Sequence, residues 1–237
     1  MKYISLPTDD EERRLSFYLA MEEYVARRFK EDDLFFMWRV APSVIFGRNQ
    51  VMQNEVNLDY CRQHHIHIYR RKSGGGCVYA DRDNLMLSFI TSGDNVAFNY
   101  NRFMGMILLV LRKLGIQATS TQHNDVMIGD RKVSGTAFYQ LPGRCVAHAT
   151  LLYDTNMEHM LNAITPSADK LQKKGIESVR QRITLLKDYT MLTAEQLIAF
   201  IKAALCTEES SLLPDDIREI EKIEEGYLQE EFINRIL

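Results

Sequence analysis

Residues 70–90 read RRKSGGGCVYADRDNLMLSFI, and the three consecutive glycines at their centre decide how the neighbouring segments fold. Such a run loses too much backbone entropy to sit inside a helix or strand, so Gly74-Gly75-Gly76 predicts a tight bend where backbone approaches a ligand closely. Its amides can form a nest for an anion. Arg70, Arg71 and Ser73 add charge-assisted donors suited to a carboxylate or phosphate. The segment is not a P-loop, because the GK[ST] ending is missing and a strand pattern, not a helix, follows the glycines. On the triplet alone, a glycine hairpin with surface arginines is the plainer reading. Two strand-like runs follow, CVYA (77–80) and LMLSFIT (85–91), and Asp81–Asn84 has the composition of a hairpin turn between them.

Upstream, Leu15, Tyr18, Leu19, Val25 and Phe29 recur at helical spacing and predict a scaffold helix over about Glu11–Phe29. The runs LFFMWRV (34–40) and SVIFGR (43–48), separated by Ala41-Pro42, predict two strands joined by a tight turn. Another strand, with His67 between Ile66 and Ile68, leads into Arg70-Arg71. Downstream, a helix over about Asn99–Leu114 ends at Gly115, and Ala118–Tyr153 reads as a strand meander turning at Gly129-Asp130. Helices are expected at Met157–Ala163, at Thr193–Leu205 behind a Thr193/Gln196 capping box, and at Pro214–Ile236. The pattern is that of an α/β (α+β) protein, read as a single domain over 1–237 with a helical C-terminal segment from about 190.

The chain has 237 residues, 46% hydrophobic and 26% charged, which is ordinary globular usage and excludes disordered and collagen-like classes. A net charge of −3 gives no general attraction to nucleic acid. The N-terminus lacks a secretory signal, and no stretch approaches the roughly 20 apolar residues of a membrane span, so the cytoplasm is the expected address and no membrane partner is expected. Four cysteines without CxxC or metal-type spacing predict reduced thiols, not a disulfide framework or zinc site. The six histidines show no ligand spacing for a structural metal.

A second cluster runs His123-Asn124-Asp125-Val126, then Lys132-Val133-Ser134-Gly135. Asn124 and Asp125 are common turn formers, and an isolated Lys132 would be a solvated charge on a hairpin arm. The small Ser134-Gly135 pair beside it is another place for backbone to meet a ligand and an ammonium to meet its charge.

These segments together carry a family resemblance. RRKSGGGCVYADRDNLMLSFI is similar to the RRxSGGGxVxHDxGN signature of lipoate–protein ligases A, and HNDVMIGDRKVSGTA (123–137) resembles their ND…KxSGxA segment. HATLLYD (148–154) and KKGIESVRQRITLL (173–186) look like the family's HGTLLxx and KGIxSVRSRVxxL stretches, in the family's order. The resemblance implies a biotin/lipoate-ligase-like fold, with a central mixed sheet flanked by helices. It implies ATP-dependent activation of lipoate to lipoyl-AMP, and transfer of the lipoyl group to a lysine of an apo-lipoyl domain. It also implies Lys132 as the catalytic lysine. Arg70, Arg71, Ser73, Gly74, Gly75, Gly76, Cys77, Asn124, Asp125, Ser134, Gly135 and His148 would bind lipoyl-AMP or ATP, with Asp125 helping to hold Mg²⁺. The partners implied are lipoyl domains of 2-oxoacid dehydrogenase E2 subunits or the glycine cleavage H protein. The biotin-ligase GRGRxGRxW-type motif is absent.

The chain departs from the ligase pattern at Ala80, Asp83, Ala147 and Ala149, where the family has His, Gly, His and Gly. Two lost imidazoles are expected to reshape the acyl pocket. The segment DDIREIEKIEEGYLQEEFI (215–233) resembles the lead-in to the accessory domain of long ligases, and short members are expected to use a separate accessory subunit. Cys145 and His148 match the cysteine–histidine spacing of related octanoyltransferases, which pair a nucleophilic cysteine with a lysine placed like Lys132. The plainer reading makes Cys145 a small apolar residue opening a buried strand. A third reading, a non-catalytic lipoyl-binding paralogue, would bind without turnover.

Overall fold

The strands form two sheets, and the two at the centre of the larger, Asn84–Ser92 and Arg144–Leu152, are buried at nearly every position because both of their faces are covered. The computed structural model describes residues 1–7, 12–29, 33–93, 95–122, 124–164 and 182–235. Among these, the chain runs β1 (Lys2–Ser5), α1 (Leu15–Arg28), β2 (Leu34–Trp38), β3 (Ser43–Phe46), α2 (Met52–Glu55), α3 (Leu58–Gln63), β4 (His67–Arg70), β5 (Val78–Ala80) and β6 (Asn84–Ser92). It continues through α4 (Val96–Lys113), β7 (Thr119–Ser120), β8 (Asp125–Ile128), β9 (Arg131–Leu141), β10 (Arg144–Leu152), α5 (Met157–Ala163), α6 (Ala194–Leu205), β11 (Glu208–Ser211), α7 (Pro214–Leu228) and α8 (Glu230–Ile233).

The large mixed sheet has the order β11-β1-β2-β6-β10-β9-β8-β7, and β4-β3-β5 form a small second sheet. On one face of the large sheet, Phe36, Trp38, Met86, Ile90 and Val146 pack against α1 and α7. On the other, Phe35, Leu87, Phe89, Ala147 and Leu151 pack against α4 and α6. A third apolar cluster, including Val44, Phe46, Tyr79 and Met160, joins the small sheet to α3 and α5.

Two expected hairpins are not hairpins. β2 pairs with β6 in the large sheet while β3 pairs with β4 and β5, so Ala41-Pro42 carries the chain from one sheet to the other. Likewise β5 pairs with β3 and β6 with β10 and β2, so Asp81–Asn84 is a second crossing. Asp81 fixes that corner by accepting from the Asp83 and Asn156 amides and the Thr155 hydroxyl. Alternation names the buried face of a strand but not its neighbour, and here each strand finds its partners elsewhere in the chain.

The predicted strand meander is present, with Gly129 at φ +60 in its turn. The capping box at Thr193/Gln196 is also present. α1 is shorter than expected, and α4 starts earlier, because the Asn95 side chain caps it by accepting from the Phe98 amide. The last predicted helix divides into α7 and α8. His123 and residues 173–181 of the KGIxSVR-like stretch lie outside the described residues.

Candidate active site

One row of paired residues crosses five strands. Trp38 stands opposite Met86, Met86 opposite Thr150, Thr150 opposite Gly135, and Gly135 opposite Asp125. All five line a cavity of about 730 Å³. At a strand spacing of about 4.8 Å the row is roughly 19 Å long. Its β2/β6 end is apolar, where Leu19 and Ile45 join Trp38 and Met86, and its β8/β9 end carries Asn124, Asp125, Asp130 and Lys132. Such a cavity takes an elongated ligand with an apolar tail and an anionic head.

The glycine segment forms one wall. Gly75 has φ +90, a conformation that glycine adopts without strain. Beneath it the buried Arg71 guanidinium donates from Nη2 to the Gly74 carbonyl (2.7 Å) and the Gly76 carbonyl (2.8 Å), from Nη1 to the Ile45 carbonyl (3.0 Å), and from Nε to Ser73 Oγ (2.9 Å). Burial pulls its pKa down to about 10, so it still carries its charge at neutral pH. From the other side the loop rests on Gly47, where an added Cβ would lie 2.0 Å from the Gly75 oxygen. Gly75 and Gly76 line the cavity beside Arg71, so this wall brings glycine backbone and a guanidinium to the place where an anion would sit.

Lys132 forms the opposite wall. Its backbone is clamped on both sides, the amide donating to the Arg182 carbonyl and the carbonyl accepting from the Thr184 amide. Its Nζ lies 2.7 Å from Asp125 Oδ1. The ammonium sits directly over Gly135, where a Cβ would meet Nζ at 2.9 Å and Cε at 3.1 Å. Asn124 takes the left-handed conformation (φ 66), and its carbonyl accepts from both the amide and the hydroxyl of Thr136. Asparagine tolerates that conformation better than most residues.

A family model, described as the lipoyl protein ligase A/B catalytic domain, matches residues 15–206. The chain belongs to this family. Among curated ligases, the chain is 36% identical to lipoate–protein ligase 1 of Staphylococcus aureus over 86% of its own length and 65% of that protein. It is 36% identical to lipoate–protein ligase LplJ of Bacillus subtilis over 72% of its own length and 52% of that protein. The chain thus spans between half and two thirds of these relatives. A bipartite lipoate–protein ligase of Thermoplasma acidophilum superposes with a TM-score of 0.86 at 25% identity, covering 100% of this chain and 96% of that one.

Of the ligase-type residues expected from the sequence, Arg71, Gly75, Gly76, Cys77, Asn124, Asp125, Lys132, Gly135 and His148 line the cavity. Arg70 does not. Its guanidinium donates to the carbonyls of Arg48, Gln50, Ile233 and Arg235, so the structure uses it to fasten the C-terminal segment. Ser73 lies beneath the loop, and Gly74 contributes its carbonyl to Arg71. Ser134 stands opposite Leu151 on the face turned to α4 and α6, away from the cavity. Burial raises the pKa of the half-buried Cys77 thiol well above its usual value, which disfavours the thiolate form.

The transferase-type pairing of Cys145 with His148 is undone by strand geometry. Three residues apart on β10, they project to opposite faces, His148 toward α1 and Cys145 with Ala147 and Ala149 toward α4. Cys145 is 2% exposed and does not line the cavity, and burial raises its pKa. Of the departures, Ala80, Asp83 and Ala147 do not line the cavity, and Ala149 borders it with its side chain in the layer beneath α4, so neither lost imidazole falls at the cavity. Glu22, whose carboxylate faces His148 Nδ1 at 3.1 Å, is a residue the sequence reading missed. It follows Leu15 by seven and Leu19 by three, in phase with the buried face of α1, and a carboxylate in that phase was the available signal.

Proposed function

We propose that this chain activates lipoate with ATP as lipoyl-AMP and transfers the lipoyl group to a lysine of an apo-lipoyl domain. The observation that carries the reading is the single cavity row leading from Trp38 and Met86 to Gly135 and Asp125 beneath Lys132. It fits an acyl chain at one end and a carboxylate meeting a phosphate at the other. In the first step the lipoate carboxylate attacks the α-phosphorus and pyrophosphate leaves. Two anions must meet, so the Lys132 ammonium and the Gly75 and Gly76 amides act by positioning and charge neutralisation. In the second, a neutral lysine amine attacks the mixed anhydride and AMP leaves.

Mg²⁺ belongs to this proposal. Among the described residues no group of three or more His, Cys, Asp or Glu could hold a metal. Asp125 and Asp130 line the cavity near Lys132, and that fits an ion usually held by one or two carboxylates plus substrate phosphates. Bound there, it would offset phosphate charge. The relatives' names support the ligase reading, and the T. acidophilum structure, described as containing an E2 lipoyl domain, supports an acceptor from E2 subunits; the glycine cleavage H protein is the other acceptor in the proposal. That protein is also described as bipartite, and we include a separate accessory subunit in the proposal. Among the described residues no helix is long and apolar enough to cross a membrane. The four free cysteines suit the reducing cytoplasm.

The test is transfer to an apo-lipoyl domain from three donors: lipoate with ATP·Mg²⁺, with and without an accessory subunit; pre-formed lipoyl-AMP; and octanoyl-acyl carrier protein. Product from the first two supports the ligase. Product from the third alone, or lipoate binding without any product, overturns it.

A further inference from the structure

A buried string of hydrogen bonds runs from α1 to the glycine loop, and its ends fix its direction. At one end Trp38 Nε1 donates to Ser88 Oγ (2.9 Å), and Ser88 donates to Glu22 Oε1 (2.6 Å). At the other, Arg71 Nε donates to Ser73 Oγ (2.9 Å), and Ser73 Oγ lies 2.8 Å from His148 Nε2. His148 Nδ1 faces both Glu22 oxygens at 3.1 Å. The indole and guanidinium groups can only donate. Accepting from Arg71 leaves Ser73 one hydrogen and one lone pair; given to Nε2, that hydrogen has an acceptor, and Nδ1 then carries the imidazole proton toward Glu22. The donors converge on the Glu22 carboxylate, and in this arrangement each hydrogen of the string has an acceptor.

We propose that Glu22 is a positioning residue of the adenylate site: it holds His148 as the neutral Nδ1–H tautomer, and His148 through Ser73 fixes Arg71 and hence the glycine loop. The effect on the reaction rests on the ligase reading above; the tautomer and the loop geometry do not. The same contacts resemble a Ser-His-Glu nucleophilic triad. Ser73 is fully buried, already accepts from Arg71 and does not line the cavity, so its oxygen serves the loop and not an acyl carbon.

The string is read by long-range ¹H–¹⁵N spectra of protein labelled in its histidine rings, with the His148 signals assigned by their absence in His148→Gln. The expected wild-type pattern has a protonated Nδ1 and an unprotonated Nε2; an Nε2–H tautomer or an imidazolium at neutral pH overturns the proposal. Glu22→Leu removes the acceptor and keeps the volume. It should shift the Gly74–Gly76 amide resonances and raise the KM for pre-formed lipoyl-AMP by roughly tenfold, with a smaller change in kcat. Glu22→Gln keeps an acceptor at the Oε1 position and should recover most of that loss. Unmoved glycine amides in both variants overturn the proposal, as does an acyl adduct on Ser73. If wild-type protein transfers nothing from lipoyl-AMP, the ligase reading fails, and the ring spectra and glycine amides still decide the string.

Discussion

The two walls of the cavity are built by opposite means. The Lys132 wall is held by backbone: a strand paired on both sides, a returning segment bonded to both the amide and the carbonyl of Lys132, and a glycine that leaves room for the ammonium. The glycine-loop wall has no such ladder. It is held by side chains, with Arg71 underneath, Ser73 and His148 behind it and Glu22 at the far end. A wall built on ladder hydrogen bonds tolerates loss of a side chain without moving, whereas a wall hung on a buried guanidinium moves when that group or its contacts change.

The contrast can be broken first at Lys132. Lys132→Ala removes the charge and leaves the strand, so lipoate-dependent ATP–pyrophosphate exchange should fall by roughly 10²–10³-fold while the thermal midpoint hardly changes. The measurement is the exchange rate beside a melting curve, with an accessory subunit supplied. Exchange within about twofold of wild type would remove Lys132 from the mechanism.

Gly135→Ala sharpens the same wall without touching its charge. The new methyl would meet Lys132 Nζ at 2.9 Å, and the ammonium at the end of a flexible chain must give way. A displacement near 1 Å at a reacting centre costs on the order of 10²-fold. Exchange should fall by about that factor, with the Lys132–Asp125 pair displaced in a crystal structure of the variant. An unchanged rate would mean that Lys132 acts from a range of positions.

On the other wall, Gly47→Ala places a methyl 2.0 Å from the Gly75 carbonyl oxygen, a backbone atom that cannot swing aside. The loop must shift as a body. Stability should drop by about 1–3 kcal/mol, and lipoyl-AMP affinity by roughly tenfold. Denaturant melts and adenylate titration check the two effects together, and a loss of stability without a loss of affinity would show that the loop is less rigid than its hydrogen bonds imply.

The same division explains what the sequence made legible. Gly74–Gly76, Asn124-Asp125 and Lys132 through Gly135 stand in short runs whose composition is unusual enough to mark them, and most of them do reach the cavity. The supports of the loop are spread along the chain: His148 and Glu22 are 126 residues apart, and nothing local in α1 announces what a buried carboxylate will meet. The adjacent Arg70, Arg71 and Lys72 look equivalent in sequence and are not. Arg70 fastens the C-terminal segment, Arg71 braces the glycines, and Lys72 pairs with Glu23 on α1. Strand partners were hidden for the same reason, since the Ala41-Pro42 and Asp81–Asn84 turns have hairpin composition but lie where the chain changes sheets.

The smallest effect is expected on the strand shared by both walls, at Cys145. β10 presents His148 to the glycine-loop side and Cys145 to the core beneath α4, so the two residues serve different layers of the molecule although only two residues separate them. Cys145→Ser puts a hydroxyl in place of a buried thiol, which should cost about 1–2 kcal/mol of stability and lower the denaturation midpoint. The cavity is unchanged by it, so transfer of the lipoyl group from lipoyl-AMP should stay within about twofold of wild type. Folded protein that loses transfer completely, together with an acyl thioester on Cys145 in the wild type by mass spectrometry, would require β10 to turn its other face to the substrate. That rearrangement would expose Ala147, Ala149 and Leu151 to water while forcing His148 into the apolar layer, and the ladder to β6 and β9 would have to break to allow it.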